Sequence, residues 1–232
     1  MFLKNKILAL VPARGGSKGI KYKNLKKING VSLIGHTFKF IKLSKIFDDL
    51  YLSTESKKII LEANKYNFKI LHRSKKLSGD YVSDFSIINS VLRNKTIKKQ
   101  KFDYLVYLQP TSPLRKVAHL KNTLRKIIKE NYDAAISVTE ISKKYHPKKI
   151  FNLKNGNLNL YLESGKKIFA RQHLDQVFIR NGVFYIFKIS AFLKNSDIYL
   201  KKTYASITNY KTFNIDSHQD LKKARKTGNF LN

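Results

Sequence analysis

The stretch Ile7-Leu-Ala-Leu-Val-Pro-Ala-Arg-Gly-Gly-Ser-Lys-Gly-Ile-Lys-Tyr-Lys-Asn24 constrains the fold more than any other part of the chain. Five consecutive apolar residues, Ile7 to Val11, suit a strand buried on both faces, as in a parallel sheet covered by helices. Pro12 closes the run because it has no amide hydrogen to give to a ladder. Gly15, Gly16 and Gly19 follow, interleaved with Arg14, Lys18, Lys21 and Lys23. Such glycines let successive amide hydrogens turn toward one point, and the cations add charge there, so the loop is suited to holding an anion. Its spacing matches neither G-x-x-x-x-G-K-[ST] nor G-x-G-x-x-G, which excludes a Walker loop and a dinucleotide fingerprint.

The rest of the first half alternates. A helical stripe over Ser32–Ser44 is followed by a strand at Asp49–Ser53, a helix at Glu55–Tyr66 and a strand at Phe68–Leu71. That order predicts a parallel sheet with helices on both faces. Arg73 follows the third strand directly, and Leu77-Ser-Gly-Asp80 precedes a helix expected to reach about Arg93. Ligands of such folds sit beyond the carboxyl ends of the strands, which would gather Ser53, Arg73 and the glycine loop. From position alone Arg73 is either a ligand of that site or a surface cation.

Asp103–Leu108 reads as a central strand running into Gln109-Pro-Thr-Ser-Pro-Leu-Arg115, where two prolines stiffen a polar loop at a strand end. Lys116–Asn131 reads as a helix and Ala134–Val138 as a strand. From Thr139 to Phe178 the pattern loosens into short strand-like pieces, 150–153 and 158–162, joined by an Asn155-Gly156 hairpin signal. This predicts a small β-rich insertion over about 140–180. His146 within it reads as a packed or surface histidine, with no second ligand at metal spacing. Val183–Phe187 returns as a strand, and Ala205–Ile215 leads to Asp216 before a last helix at Ser217–Lys226. Asp216 or Ser217 is that helix's N-cap, and the alternative for Asp216 is a metal ligand at a strand end.

With 232 residues the chain suits one sizeable α/β domain, residues 1–232, carrying the insertion. A hydrophobic fraction of 42%, with 15 Phe and 13 Tyr, suffices for a core. There is no cysteine, which excludes disulfides and thiolate metal sites and fits a reducing cytoplasm. No apolar run approaches the ~20 residues of a membrane span, and the N-terminus reads straight into the first strand without a signal peptide. The formal charge of +32 invites a nucleic-acid reading. Against it, the lysines are spread along the whole chain in pairs such as Lys57-Lys58 and Lys201-Lys202, without a basic arm, RNP pattern or zinc finger. A solvated lysine-rich surface that attracts anionic substrates is the better reading.

Five segments resemble, in order, those of the acylneuraminate cytidylyltransferases, which make CMP-sialic acids. They are Pro12–Asn24, Ser53-Thr-Glu55, Arg73–Asp80, Leu108–Arg115, and Arg171–Gly182 with Ile215-Asp216. The resemblance implies a Rossmann-like, three-layer nucleotide-sugar-transferase fold with a mainly parallel sheet, and a homodimer assembled through the insertion. It also implies CTP and a 2-keto nonulosonic acid as substrates, Mg²⁺ as cofactor, and neither membrane nor nucleic acid as partner. By the same resemblance Arg14, Lys18 and Lys23 hold the triphosphate within the loop Ala13-Arg14-Gly15-Gly16-Ser17-Lys18. Asn24, Arg73 and Asp80 recognise the cytidine side, and Gln109, Lys149, Arg171, Gln172 and Arg180 the sugar acid. Asp216, with Asn214 as a weaker neutral partner, binds the metal. Asn214 stands where the family commonly has Asp, and Asp175 where it commonly has Pro. Gly19 after Ser17-Lys18 is closer to the neuraminate and legionaminate enzymes than to those acting on pseudaminate or KDO.

Overall fold

The structure, a computed structural model, describes residues 1–227. They divide into two compact units: Met1–Ser137 together with the chain from Asn181, and Val138–Arg180.

In the first unit β1 (Ile7–Pro12) is buried from Ile7 to Val11, as expected of a strand sandwiched between helical layers. The loop after it leads to a two-stranded ribbon, β2 (Lys27–Ile28) and β3 (Val31–Ser32), across the Asn29-Gly30 turn. Ser32 caps α1 (Leu33–Ser44), its hydroxyl accepting the Gly35 amide at 3.0 Å, one of the donors a helix start leaves unpaired. The buried stripe of α1 includes Leu33, Ile34, Thr37, Phe38 and Ile41, and Phe38 stacks on Phe68 with centroids 3.8 Å apart. Next come β4 (Asp49–Thr54), α2 (Lys57–Asn64) and β5 (Lys69–His72). The second helix starts two residues later than its periodicity suggests, after Ser56 in extended backbone, and the Glu55 carboxylate accepts the Gly15 amide at 2.7 Å.

Ser83 caps α3 (Asp84–Leu92), so residues 81–83 remain outside the helix expected after Asp80. A short α4 (Lys95–Gln100) was not anticipated. Ile97 is its one buried residue, which leaves no apolar period to read. After it come β6 (Tyr104–Tyr107), α5 (Val117–Lys129) and β7 (Ala134–Glu140), the strand in which the chain passes into the second unit. There β8 (Phe151–Lys154) and β9 (Asn157–Leu160) form a hairpin. Asn155 and Gly156, with φ of 51° and 79°, take the left-handed backbone that a two-residue hairpin turn requires. The chain returns along β10 (Phe178–Lys188) and finishes with α6 (Ile189–Phe192), β11 (Thr203–Ile207) and α7 (His218–Arg225).

Seven strands form one sheet in the order β11-β7-β10-β6-β1-β4-β5. The ladders β6-β1, β1-β4 and β4-β5 are parallel, whereas β10 runs antiparallel to β6. The sheet is therefore mainly parallel. Chain order reverses direction across it at β1, with β4 on one side and β6 on the other, and the crevice beyond the carboxyl ends of such neighbours is where open α/β sheets bind ligands. A satellite apolar cluster bears on that crevice. Ile20 of the glycine loop is buried with Ile28, Leu33, Ile215, Leu221 and Ala224, which ties the loop to the segment carrying Asp216.

Candidate active site

Beyond the ends of β1, β4, β5 and β6 lies a cleft of about 440 Å³. The glycine loop lends it Arg14, Ser17, Lys18, Gly19, Lys23 and Asn24, and the segments after β5 and β6 lend it Arg73, Asp80, Gln109 and Thr111. Asp216 completes the lining from the segment before α7. Ala13, Gly15 and Gly16 shape the loop without lining the cleft. The Ala13 amide continues the sheet onto the Ser53 carbonyl at 3.0 Å, and Gly15 donates to Glu55.

The cations of the loop are held by internal carboxylates. Arg14 Nη1 and Lys18 Nζ each lie 2.8 Å from a different oxygen of Asp80, and Lys23 Nζ lies 2.7 Å from Asp216 Oδ1. Lys18 and then Arg14 hold the exposed Asp80 carboxyl below its usual range. Asn24 is buried and donates to the Arg14 carbonyl at 3.0 Å, fixing the loop that carries the cations. An arriving polyphosphate could take the places of Asp80 and Asp216 on the same three cations with its own oxygens.

Arg73 is buried, with a side-chain exposure of 3%, and its guanidinium lies 3.5 Å from Glu55 Oε2. That decides between the two sequence readings: it is not a surface cation. Burial lowers its proton affinity, and the charge of Glu55 opposes this. Burial would raise the Glu55 carboxyl, yet the amides of Gly15 and Glu55, the Ser78 hydroxyl and the Arg73 charge hold it below its ordinary value. Among the described residues the buried Arg73 Nε has no hydrogen-bond partner.

Asp84, Tyr107 and Ile87 also line the cleft and were not anticipated as site residues. Ser83-Asp84 at a helix start reads as capping chemistry, and Tyr107 and Ile87 as core, so local patterns hide all three. Asn214 is not a lining residue; its amide donates to Asp216 Oδ2 at 2.7 Å. The capping role weighed for Asp216 falls instead to Ser217, which forms a capping box with Asp220. Lys149, Arg171, Gln172 and Arg180 belong to the second unit and do not line the cleft. Within that unit Lys148 pairs with Asp175 at 3.1 Å, and His146 is packed rather than exposed, its ring accepting the Lys148 amide.

Among the described residues no three His, Cys, Asp or Glu side chains form a metal cluster. The exposed carboxylate of Asp216 beside the anion loop fits Mg²⁺ carried on a nucleotide, which takes one or two protein carboxylates and completes its shell with phosphates and water.

The family model described as cytidylyltransferase matches residues 8–229. The chain belongs to the cytidylyltransferase family. It is accordingly a nucleotidyltransferase, and the cleft is this cytidylyltransferase's candidate catalytic centre. Pseudaminic acid cytidylyltransferase of Campylobacter jejuni serotype O:2 is 31% identical over 225 residues, covering 95% of each protein. N-acylneuraminate cytidylyltransferase of Streptococcus agalactiae serotype V is 28% identical over 222 residues. That match takes in 93% of this chain, which spans about half (52%) of the streptococcal protein. Among solved structures, CMP:2-keto-3-deoxy-manno-octonic acid synthetase complexed with CTP superposes with a TM-score of 0.70 at 15% identity. It covers 95% of this cytidylyltransferase and 97% of that chain, a likeness of fold.

Proposed function

We propose that this cytidylyltransferase transfers the CMP moiety of CTP to a nine-carbon 2-keto sugar acid, with N-acylneuraminate or legionaminate as the first candidates. The anomeric hydroxyl oxygen bonds to the α-phosphorus, the bond from that phosphorus to the bridging oxygen breaks, pyrophosphate leaves, and the hydroxyl proton passes to water. The observation that carries the reading is the cleft at the strand-order reversal, where Arg14, Lys18 and Lys23 converge with buried Arg73 and with Gln109. The three cations hold the triphosphate and stabilise the charge that grows on it in the transition state. Asn24, Arg73 and Asp80 recognise the cytidine side from the lining of the cleft. Gln109 hydrogen-bonds the sugar acid. Asp216 would hold Mg²⁺, whose contribution is Lewis acidity toward phosphate oxygens.

The relatives named for N-acylneuraminate and pseudaminic acid support a nonulosonic acid, and the second leaves pseudaminate as the alternative within the same chemistry. KDO is a further alternative, in keeping with the CMP:2-keto-3-deoxy-manno-octonic acid synthetase that shares the fold. A homodimer built through residues 138–180 completes the proposal. Exposed Leu153, Leu158, Tyr161 and Phe169 in that unit offer it an apolar surface. Lys149, Arg171, Gln172 and Arg180 would then serve the sugar acid, some of them of a neighbouring copy. No helix among the described residues is long and apolar enough to cross a membrane, and a cytoplasmic site of action is part of the proposal.

The test is pyrophosphate release from CTP and Mg²⁺ with neuraminate, legionaminate, pseudaminate and KDO in turn. Release with a nine-carbon acid supports the reading and names the substrate. Release with KDO alone overturns the substrate, and a folded protein that neither binds CTP nor turns over overturns the function. A non-catalytic nucleic-acid binder would instead show duplex or single-strand binding that weakens steeply between low and moderate salt.

A further inference from the structure

Gln109 is held at both its main chain and its side chain. Its carbonyl accepts Arg115 Nη2 at 2.5 Å and the Ser112 amide at 3.1 Å. Arg115 is itself buried and locked, donating also to the Val183 carbonyl at 2.7 Å and to Thr37 Oγ1 at 3.1 Å. The side-chain amide nitrogen donates to the Asp84 carboxylate, 3.2 Å from Oδ2 and 3.4 Å from Oδ1. The Tyr107 hydroxyl donates to the same carboxylate at 2.7 Å. Tyr107 is fully buried, and burial, with Asp84 beside it, pushes its phenol well above its ordinary value, so it stays protonated and remains a donor.

An ionised carboxylate only accepts, so Asp84 decides which end of the Gln109 amide faces it. The nitrogen turns toward Asp84 and Oε1 turns away. Among the described residues no group donates to Oε1. Beside it lies Gly182, with φ +71°, where a Cβ would come within 3.1 Å of Oε1 and 2.8 Å of Ser112 Oγ. The absence of a side chain at Gly182 keeps that approach open.

We infer that Asp84 is a positioning residue: it holds the Gln109 amide nitrogen and so locks Gln109 with its amide oxygen toward the sugar acid, where it accepts from a hydroxyl or acylamino N–H. The inference rests on the proposed sugar-acid contact of Gln109. It adds a direction of hydrogen bonding, and with it a preference for acids that present a donor at that place. An acid lacking it leaves Oε1 unpaired, the kind of loss that discriminates strongly between substrates.

The test is a charge swap read by steady-state kinetics. Asp84→Ala should raise KM for the sugar acid about tenfold while KM for CTP stays within about twofold. Gln109→Glu sets two carboxylates against each other and should lose about a hundredfold in kcat/KM for the sugar acid. In the double variant Asp84→Asn/Gln109→Glu the new amide can donate to the new carboxylate, whose second oxygen remains an acceptor, and the amide oxygen introduced at position 84 still accepts from Tyr107. The double variant should recover about tenfold or more over Gln109→Glu alone. A double variant no better than Gln109→Glu overturns the inference, as does a KM for CTP that rises in parallel with that for the sugar acid. Should the wild type turn over no sugar acid, the proposed function fails separately. The positioning is still read in the free protein from the ¹⁵N side-chain signals of Gln109. A shift in Asp84→Ala supports the lock, and unchanged signals overturn it.

Discussion

Arg14 and Asn214 show how single residues tune this cleft. Arg14 places one guanidinium nitrogen 2.8 Å from Asp80 with its side chain only 32% exposed. Arg14→Ala should lower kcat/KM by about a hundredfold or more, in the range of removing one preorganised electrostatic contact, while thermal unfolding changes little. A loss confined to a few-fold would mean that the loop's general charge suffices. Asn214 donates to Asp216 Oδ2 at 2.7 Å, so it steadies the carboxylate proposed for Mg²⁺ without adding a charge of its own. Asn214→Asp would add it, and the Mg²⁺ concentration for half-maximal activity should fall. An unchanged titration would count against any role for that position in metal binding.

Elements set the next limits. The glycine loop and the segment carrying Asp216 approach so closely that a Cβ on Gly19 would sit 2.4 Å from the Asp216 carbonyl oxygen. Gly19→Ala must therefore push the two segments apart, moving Lys18 and Asp216 together. CTP turnover should drop by about tenfold or more with CTP affinity reduced alongside, checked by kinetics and titration calorimetry. Near-normal values would show that the loop shifts freely. At the β11 edge of the sheet α5 meets β11 through His119, whose ring nitrogens lie 2.7 Å from Ser206 Oγ and 3.1 Å from Tyr210 Oη. Burial lowers its pKa from 6.5 to about 4. The unfolded chain thus binds the proton first as pH falls, so this part of the stability is complete above about 6.5 and is lost progressively down to about 4. His119→Gln should flatten the urea midpoint between pH 6.5 and 5 relative to the wild type; parallel curves would refute the assignment.

For the molecule as a whole, the second unit carries the test of assembly. Leu153 and Leu158 are paired across the β8-β9 hairpin and are 74% and 66% exposed, so their side chains share one face and are available to another surface. Replacing Leu153 with Asp and Leu158 with Lys sets opposite charges across the pair, so the hairpin itself should lose little, and neither residue is buried. Sedimentation should show twice the 27.0 kDa chain mass for the wild type and the single mass for the double variant. A wild-type monomer would sink the dimer proposal. The charge of +32 acts over the same range, as a field that draws CTP and the sugar acid toward the cleft, so association should slow with added salt.

The buried strand Ile7–Val11, the helix α1 and the Asn155-Gly156 hairpin were legible in the chain's own order. Each depends on neighbours within a few residues: an apolar run, a helical stripe, two residues that accept positive φ. Alternating strands and helices carried the parallel character of the sheet for the same reason. The strand order around β1 and the antiparallel β10 came only with folding, since a ladder partner can lie anywhere along the chain. Arg73 could have been a surface cation until Glu55 and the end of β4 closed over it. Asp84 carried only the signature of a helix start, and Gln109 could have presented either end of its amide. Those two are 25 residues apart in sequence, and the hydrogen bond that orients the amide exists only once α3 and the loop after β6 are packed side by side. Local chemistry was written in short windows of sequence, and the direction of the contacts in the cleft was settled by residues that folding alone brings within reach.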